Sequence, residues 1–96
     1  MNLVKIVGSI VATHKDPKLD GSKLLIGREI RLDGTMTDIY HVAIDTVGVG
    51  EGEVVIIVRG SSARLTELSA NKPVDSAIIA VVDEIELGGE IIWRKT

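Results

Sequence analysis

The stretch that most limits what this chain can become is Asp45 to Arg64, DTVGVGEGEVVIIVRGSSAR. Glycines at alternate positions, Gly48, Gly50 and Gly52, ask for a tight loop with backbone in the left-handed region that glycine tolerates. The β-branched run Val54 to Val58 reads as a strand spanning Glu53 to Arg59. Gly60-Ser61-Ser62 then turns the chain. Ser61 or Ser62 is placed to accept hydrogen bonds from the first free N–H groups of a short helix, Ala63 to Leu68. Six residues cannot hold a helix alone, so Leu65 and Leu68 are expected to pin it to a sheet. The segment holds no nucleophile–base pair and no metal cluster; its content is backbone shape.

Around it the chain reads as short strands. Leu3 to Thr13 alternates apolar with polar residues, and Gly8 marks a bulge or bend. A polar stretch with Pro17 and Asp20-Gly21 leads to a second strand, Leu24 to Leu32. There Leu24, Ile26, Ile30 and Leu32 share one face with Arg28, and Leu25, Gly27, Glu29 and Arg31 share the other. Asp33-Gly34 opens a hairpin connection. Ile39 to Asp45 is a third strand, with Tyr40, Val42 and Ile44 on one face and His41, Ala43 and Asp45 on the other. Pro73 marks an extended re-entry into the longest aliphatic run, Asp75 to Leu87. Its alternate positions, Ala77, Ile79, Val81 and Ile78, Ala80, Val82, are all apolar, so both faces are expected to be covered. Gly88-Gly89 is a hairpin turn before a last strand, Glu90 to Arg94. Four strands, one short helix and two more strands predict an all-β fold: a small OB-like β-barrel with the helix between late strands.

The chain of 96 residues fits a single domain, residues 1–96. A domain of this size buries only roughly 60–70% of the surface its unfolded chain exposes. Yet 45% of the residues are apolar and the mean hydropathy is +0.28. Association is the simplest way to bury the remainder, and the two-faced strand Ala77 to Val82 is its candidate. There is no Cys, hence no disulfide framework, and the net charge of −3 gives no general attraction to nucleic acid or an anionic membrane. The alternating start, MNLVKIVGSIVATHK, reads as a strand and not as a signal peptide. No run approaches the ~20 apolar residues of a spanning helix.

Chemistry finds little purchase. The loop Gly48 to Glu53 invites a phosphate cradle, but it lacks a terminal Lys-Ser/Thr and a following helix, and Glu51 and Glu53 bring negative charge. The carboxylates Asp45, Glu51, Glu53, Asp75, Asp83, Glu84 and Glu86 are expected on solvated faces, not paired across a cleft. His14 and His41 have no metal-ligand spacing. Ser61 and Ser62 lack a nucleophile elbow; Arg64 beside them suits an ion pair across an interface or a small anion path. No catalytic residue, metal or cofactor is therefore assigned. An OB-like module binding single-stranded nucleic acid is the alternative. It needs stacking aromatics and a basic groove, whereas Tyr40 and Trp93 are the only aromatics.

Several spaced motifs, in order, resemble one family: GSIVATHK (Gly8 to Lys15), LDGSKLL (Leu19 to Leu25), AIDTVGVGEGE (Ala43 to Glu53), GSSAR (Gly60 to Arg64), Pro73-Val74-Asp75 and AIIAVVD (Ala77 to Asp83). They are similar to the EutN/CcmL family of pentameric vertex proteins of bacterial microcompartment shells. The resemblance implies a non-catalytic OB-like subunit, assembled as a homopentamer that caps shell vertices otherwise tiled by hexameric shell proteins, in the cytoplasm, with no nucleic acid or membrane partner. On it, Gly48, Val49, Gly50, Glu51, Gly52 and Glu53 are candidates for an axial loop. Val49 stands where many relatives carry Ala, and would either narrow an axial opening or pack. Gly60, Ser61, Ser62, Arg64, Pro73, Asp75, Ile78, Ile79 and Val81 are candidates for the subunit interface.

Overall fold

A computed structural model describes residues 1–96. Its strands are β1 (Asn2–Ile10), β2 (Leu24–Ile30), β3 (Met36–Asp45), β4 (Val54–Arg59), β5 (Ser76–Val81), β6 (Glu84–Leu87) and β7 (Glu90–Arg94). The first five form a barrel in the order β1-β2-β3-β5-β4, closed by β4 against β1. Neighbours are antiparallel except β3 and β5, which run parallel and meet only at Ile44↔Ala77 and Asp45↔Ile78. β6 and β7 form a separate hairpin. This is the expected OB-like barrel.

Two apolar clusters hold it. The barrel interior is filled by Val4, Ile6, Leu25, Ala43, Val49, Val55, Ile57 and Ile78. On the outside of β3 and β5, Ile44, Ala63 and Ala77 are buried together, with Leu24, Val58 and Val74 against them. The chain between β4 and β5 supplies the cover. β5 is thus covered on both faces at Ala77 and Ile78, as its composition demands. The covering is the chain's own connection, however, and not a neighbouring copy. Pairing of Ile56 with Ala80 but Ile57 with Ile78 leaves Ile79 as an extra residue, so Ile78 and Val81 both turn toward the interior.

Several boundaries and one element differ from expectation. β1 stops at Ile10 and β2 at Ile30, and β3 begins at Met36. The aliphatic run divides at Val82-Asp83 into β5 and β6. The helix is a 3-10 turn over Gly60–Arg64 with no side-chain cap; Ser61 and Ser62 are exposed. Leu65 and Leu68 do not pin it, being 83% and 58% exposed, whereas Ala63 is fully buried. Local polar bonds win over helix here. The Ser69 hydroxyl donates to the Ala63 carbonyl, and the Ser69 N–H donates to Thr66 Oγ1 at 3.0 Å.

On β2 and β3 the more polar face is the inner one. Gly27, Leu25 and Ala43 are buried, and the inward His41 meets Glu29 at 2.8 Å between Nε2 and Oε2. Gly27 is required by close approach: a Cβ there would lie 2.5 Å from Val4 Cγ2 and 2.9 Å from Val4 Cβ. The apolar faces of these strands consequently point outward.

Candidate functional site

The glycine loop is wired by its own carboxylates. Asp45 Oδ1 accepts from the N–H groups of Val47 (3.0 Å) and Gly48 (2.9 Å), and Oδ2 accepts from Val49 (2.9 Å). Glu53 Oε1 accepts from Gly50 N–H at 2.9 Å, and Lys95 Nζ donates to its Oε2 at 3.1 Å. The Gly50 N–H, and then the Lys95 ammonium, hold the Glu53 carboxyl below the usual carboxylate range. Gly48 and Gly52 take positive φ, at 79° and 91°, and Gly50 does not. The amides a phosphate would need are already donated to anionic side chains, so this loop is a poor phosphate cradle. Val49 resolves its two readings in favour of packing, since its side chain is buried in the barrel interior. Gly48, Gly50, Glu51 and Gly52 remain exposed around it.

Of the interface candidates, Gly60, Ser61, Ser62, Arg64, Pro73 and Asp75 are exposed and share one patch. Gly60 N–H donates to the Asp75 carbonyl at 2.8 Å, and Arg64 Nη1 to the Val74 carbonyl at 3.3 Å. Ile78 is excluded as a side-chain contact because it is fully buried in its own barrel. Ile79 is half-buried, and the half-buried Val81 packs on the interior.

Catalytic constellations do not assemble. The Glu29–His41 pair lies within the barrel, beside Gly27 and Val4 in the strand register, with no nucleophile on it. Thr35, through its N–H and then its hydroxyl, lowers the Asp33 carboxyl, which shapes a turn. No group of three or more His, Cys, Asp or Glu side chains could hold a metal ion. No helix is long and apolar enough to cross a membrane. Trp93 packs on Gly34, and the Arg28 guanidinium lies 5.5 Å from the Tyr40 ring centroid. Neither aromatic belongs to a stacking platform.

The most unusual surface lies on β3, whose two faces the sequence separates without telling inside from outside. Met36, Ile39, Tyr40 and Val42, all on β3, are 36%, 52%, 56% and 46% exposed. Ile26 pairs with Val42 and extends the same outer face onto β2. Exposed apolar side chains gathered on one strand mark a contact surface more strongly than the same residues scattered singly. The signal was present as the Tyr40-Val42-Ile44 face. Of these three residues only Ile44 is buried.

The family described as ethanolamine utilisation protein EutN/carboxysome matches residues 1–83. The carboxysome shell vertex protein CcmL of Nostoc sp. is 40% identical over 96 residues, covering 99% of this chain and 95% of the relative. The bacterial microcompartment shell vertex protein EutN of Escherichia coli is 41% identical over 95 residues, covering 99% of this chain and 100% of the relative. Among solved structures, the GrpN pentameric microcompartment shell protein from Rhodospirillum rubrum is 37% identical with a TM-score of 0.83, covering 91% of this chain and 99% of that one.

Proposed function

The chain belongs to the EutN/CcmL family, and from that premise we propose that it is a structural shell protein whose copies close into a homopentamer at the vertices of a polyhedral bacterial microcompartment. The observation that carries the reading is the open apolar face of β3, which a monomer has no reason to keep. Fully burying one such side chain is worth ~1.5–3 kcal/mol. A few per contact, repeated around a closed ring, offset the entropy of association. A ring of identical subunits needs heterologous contacts, in which two different surfaces meet. The patch from Gly60 to Asp75, which includes the exposed Leu65, gathers the exposed interface candidates on another surface of the subunit.

The partners are other copies of this chain and hexameric shell proteins, and the site of action is the shell within the cytoplasm. The role is non-catalytic: the fold offers a surface and a closed loop, not a reaction centre. The loop Gly48 to Glu53 is the candidate lining of the ring axis, with Val49 turned inward as its anchor. A sheet of hexagons cannot close without five-fold positions, which gives a direct test. Hexameric shell proteins coexpressed with this chain should yield closed polyhedra by electron microscopy, and open sheets or tubes without it. Closed polyhedra in both cases would refute the assignment.

A further inference from the structure

We infer that the C-terminal hairpin, β6–β7, is an assembly arm that lies along the open edge and outer face of β3 in a second copy of this chain. The inference rests on the ring reading above and adds which surfaces meet.

The arm is held only at its root. Trp93 packs on Gly34, Lys95 N–H donates to the Asp83 carbonyl at 2.8 Å, and Lys95 reaches Glu53. Beyond the root it stands off the barrel, neither strand packing along a barrel strand, and the molecule measures 45 × 23 × 21 Å. A two-stranded hairpin alone is marginal in water and needs another surface for stability. This one exposes Leu87 and Ile91 and leaves Ile85, Ile92 and Trp93 only half-buried. Its sequence therefore asks for a partner that its own barrel does not provide.

β3 is the complementary vacancy. It pairs with β5 only at Ile44 and Asp45, so from Met36 to Ala43 the edge away from β2 has no neighbouring strand. Arg28 Nε and Arg31 Nη1 donate to the carbonyls of Thr37 and Met36, at 2.6 and 3.1 Å, and the Ile39 N–H turns back to Thr37 Oγ1 at 3.2 Å. From Tyr40 to Ala43 no side chain bonds to that edge. An open strand edge flanked by exposed apolar side chains is a template for another chain's strand. Charge agrees in part: Arg28 is paired with Asp38 and Glu84 with Arg94 within the chain, which leaves Glu86 and Glu90 on the arm, and Arg31 before β3, without an ion-pair partner of their own. β2 and β4 are paired on both sides along most of their length; β1 lacks a second neighbour beyond Ile6 and β5 beyond Ile78, and the open edge of β3, Met36 to Ala43, is the longest of the three.

The absence of Cys makes the test clean. The double variant Val42→Cys/Leu87→Cys, treated with a short bismaleimide, should give a covalent ladder that ends at the ring size on a denaturing gel. Each single variant should give dimers at most. Light scattering on the untreated double variant reports the ring separately. A ring that forms without a ladder, or thiols consumed within single chains, overturns the arm–β3 contact and leaves the ring reading intact. No ring in the wild type overturns both. As a second readout, Leu87→Asp should raise the concentration at which the ring dissociates at least about tenfold; an unchanged value refutes the contact.

Discussion

Replacing Gly27 by Ala tests the packing that turns β2 inside out. The new Cβ would sit 2.5 Å from Val4 Cγ2 and 2.9 Å from Val4 Cβ. The second distance matters more, because rotating Val4 about χ1 moves Cγ atoms but not Cβ. Gly27 is not among the positive-φ glycines, so the cost is steric and not conformational. Val4 is 1% exposed and has nowhere to retreat. Strands β1 and β2 must therefore separate, and overpacking of this kind costs about 1–3 kcal/mol. For a domain of this size each kcal/mol moves Tm by roughly 4–8 °C, so we expect a loss of about 4–24 °C. Calorimetry at one fixed protein concentration is the assay, since assembly makes Tm concentration-dependent. The double variant Gly27→Ala/Val4→Ala gives the mechanism. Val4→Ala removes the Cγ2 contact but keeps Cβ, so the double variant should recover part of the Gly27→Ala loss and be more stable than the sum of the two single losses by about 0.5 kcal/mol or more. A Gly27→Ala protein that melts with the wild type, or strict additivity in the cycle, would refute this account of the barrel interior.

Three further outcomes follow from the loop. Val49→Ala removes buried methyls from the barrel interior and should lower stability in urea by about 1–3 kcal/mol; no change would mean that Val49 projects away from the core. Asp45→Ala strips the acceptor from three loop N–H groups and should cost about 1–3 kcal/mol, with Asp45→Asn milder because it keeps one oxygen. Equal effects of the two would show that the carboxylate does not organise the loop. Glu53 has a depressed folded-state pKa, so its contribution is present above the ordinary glutamate value and fades as pH falls through the lower folded value. Glu53→Gln should therefore melt below the wild type at pH 7 and approach it in acid. A gap that persists or widens in acid contradicts the Gly50 and Lys95 assignment.

The sequence carried the architecture wherever a local rule acts alone. Gly88-Gly89, both at positive φ, forms the hairpin turn its composition demands, and the doubly apolar Ala77-Ile78 step is buried on both sides. It misled where tertiary context decides. Periodicity separates the two faces of β2 and β3 but cannot tell inside from outside when the interior accommodates Gly27 and a Glu29–His41 pair. The face with Tyr40 and Val42 is the more apolar and is nonetheless the one in solvent. The helix expected after Ser62 failed for a related reason. Two leucines at helical spacing looked like anchors, while the real anchors are the small Ala63 and the buried Ser69 hydroxyl, neither of which stands out in a hydropathy pattern. The interface candidates divide in the same way. The exposed loop residues from Gly60 to Asp75 came together as one patch, and Ile78, chosen for its greasiness, went to the chain's own core.

The central claim is that this barrel is unfinished as a single copy. Its most direct test is the mass of the wild-type protein in solution, by light scattering behind a sizing column at micromolar concentration and without added ligand. The account predicts one species of about five times the 10.3 kDa chain. A stable species of single-chain mass would contradict it.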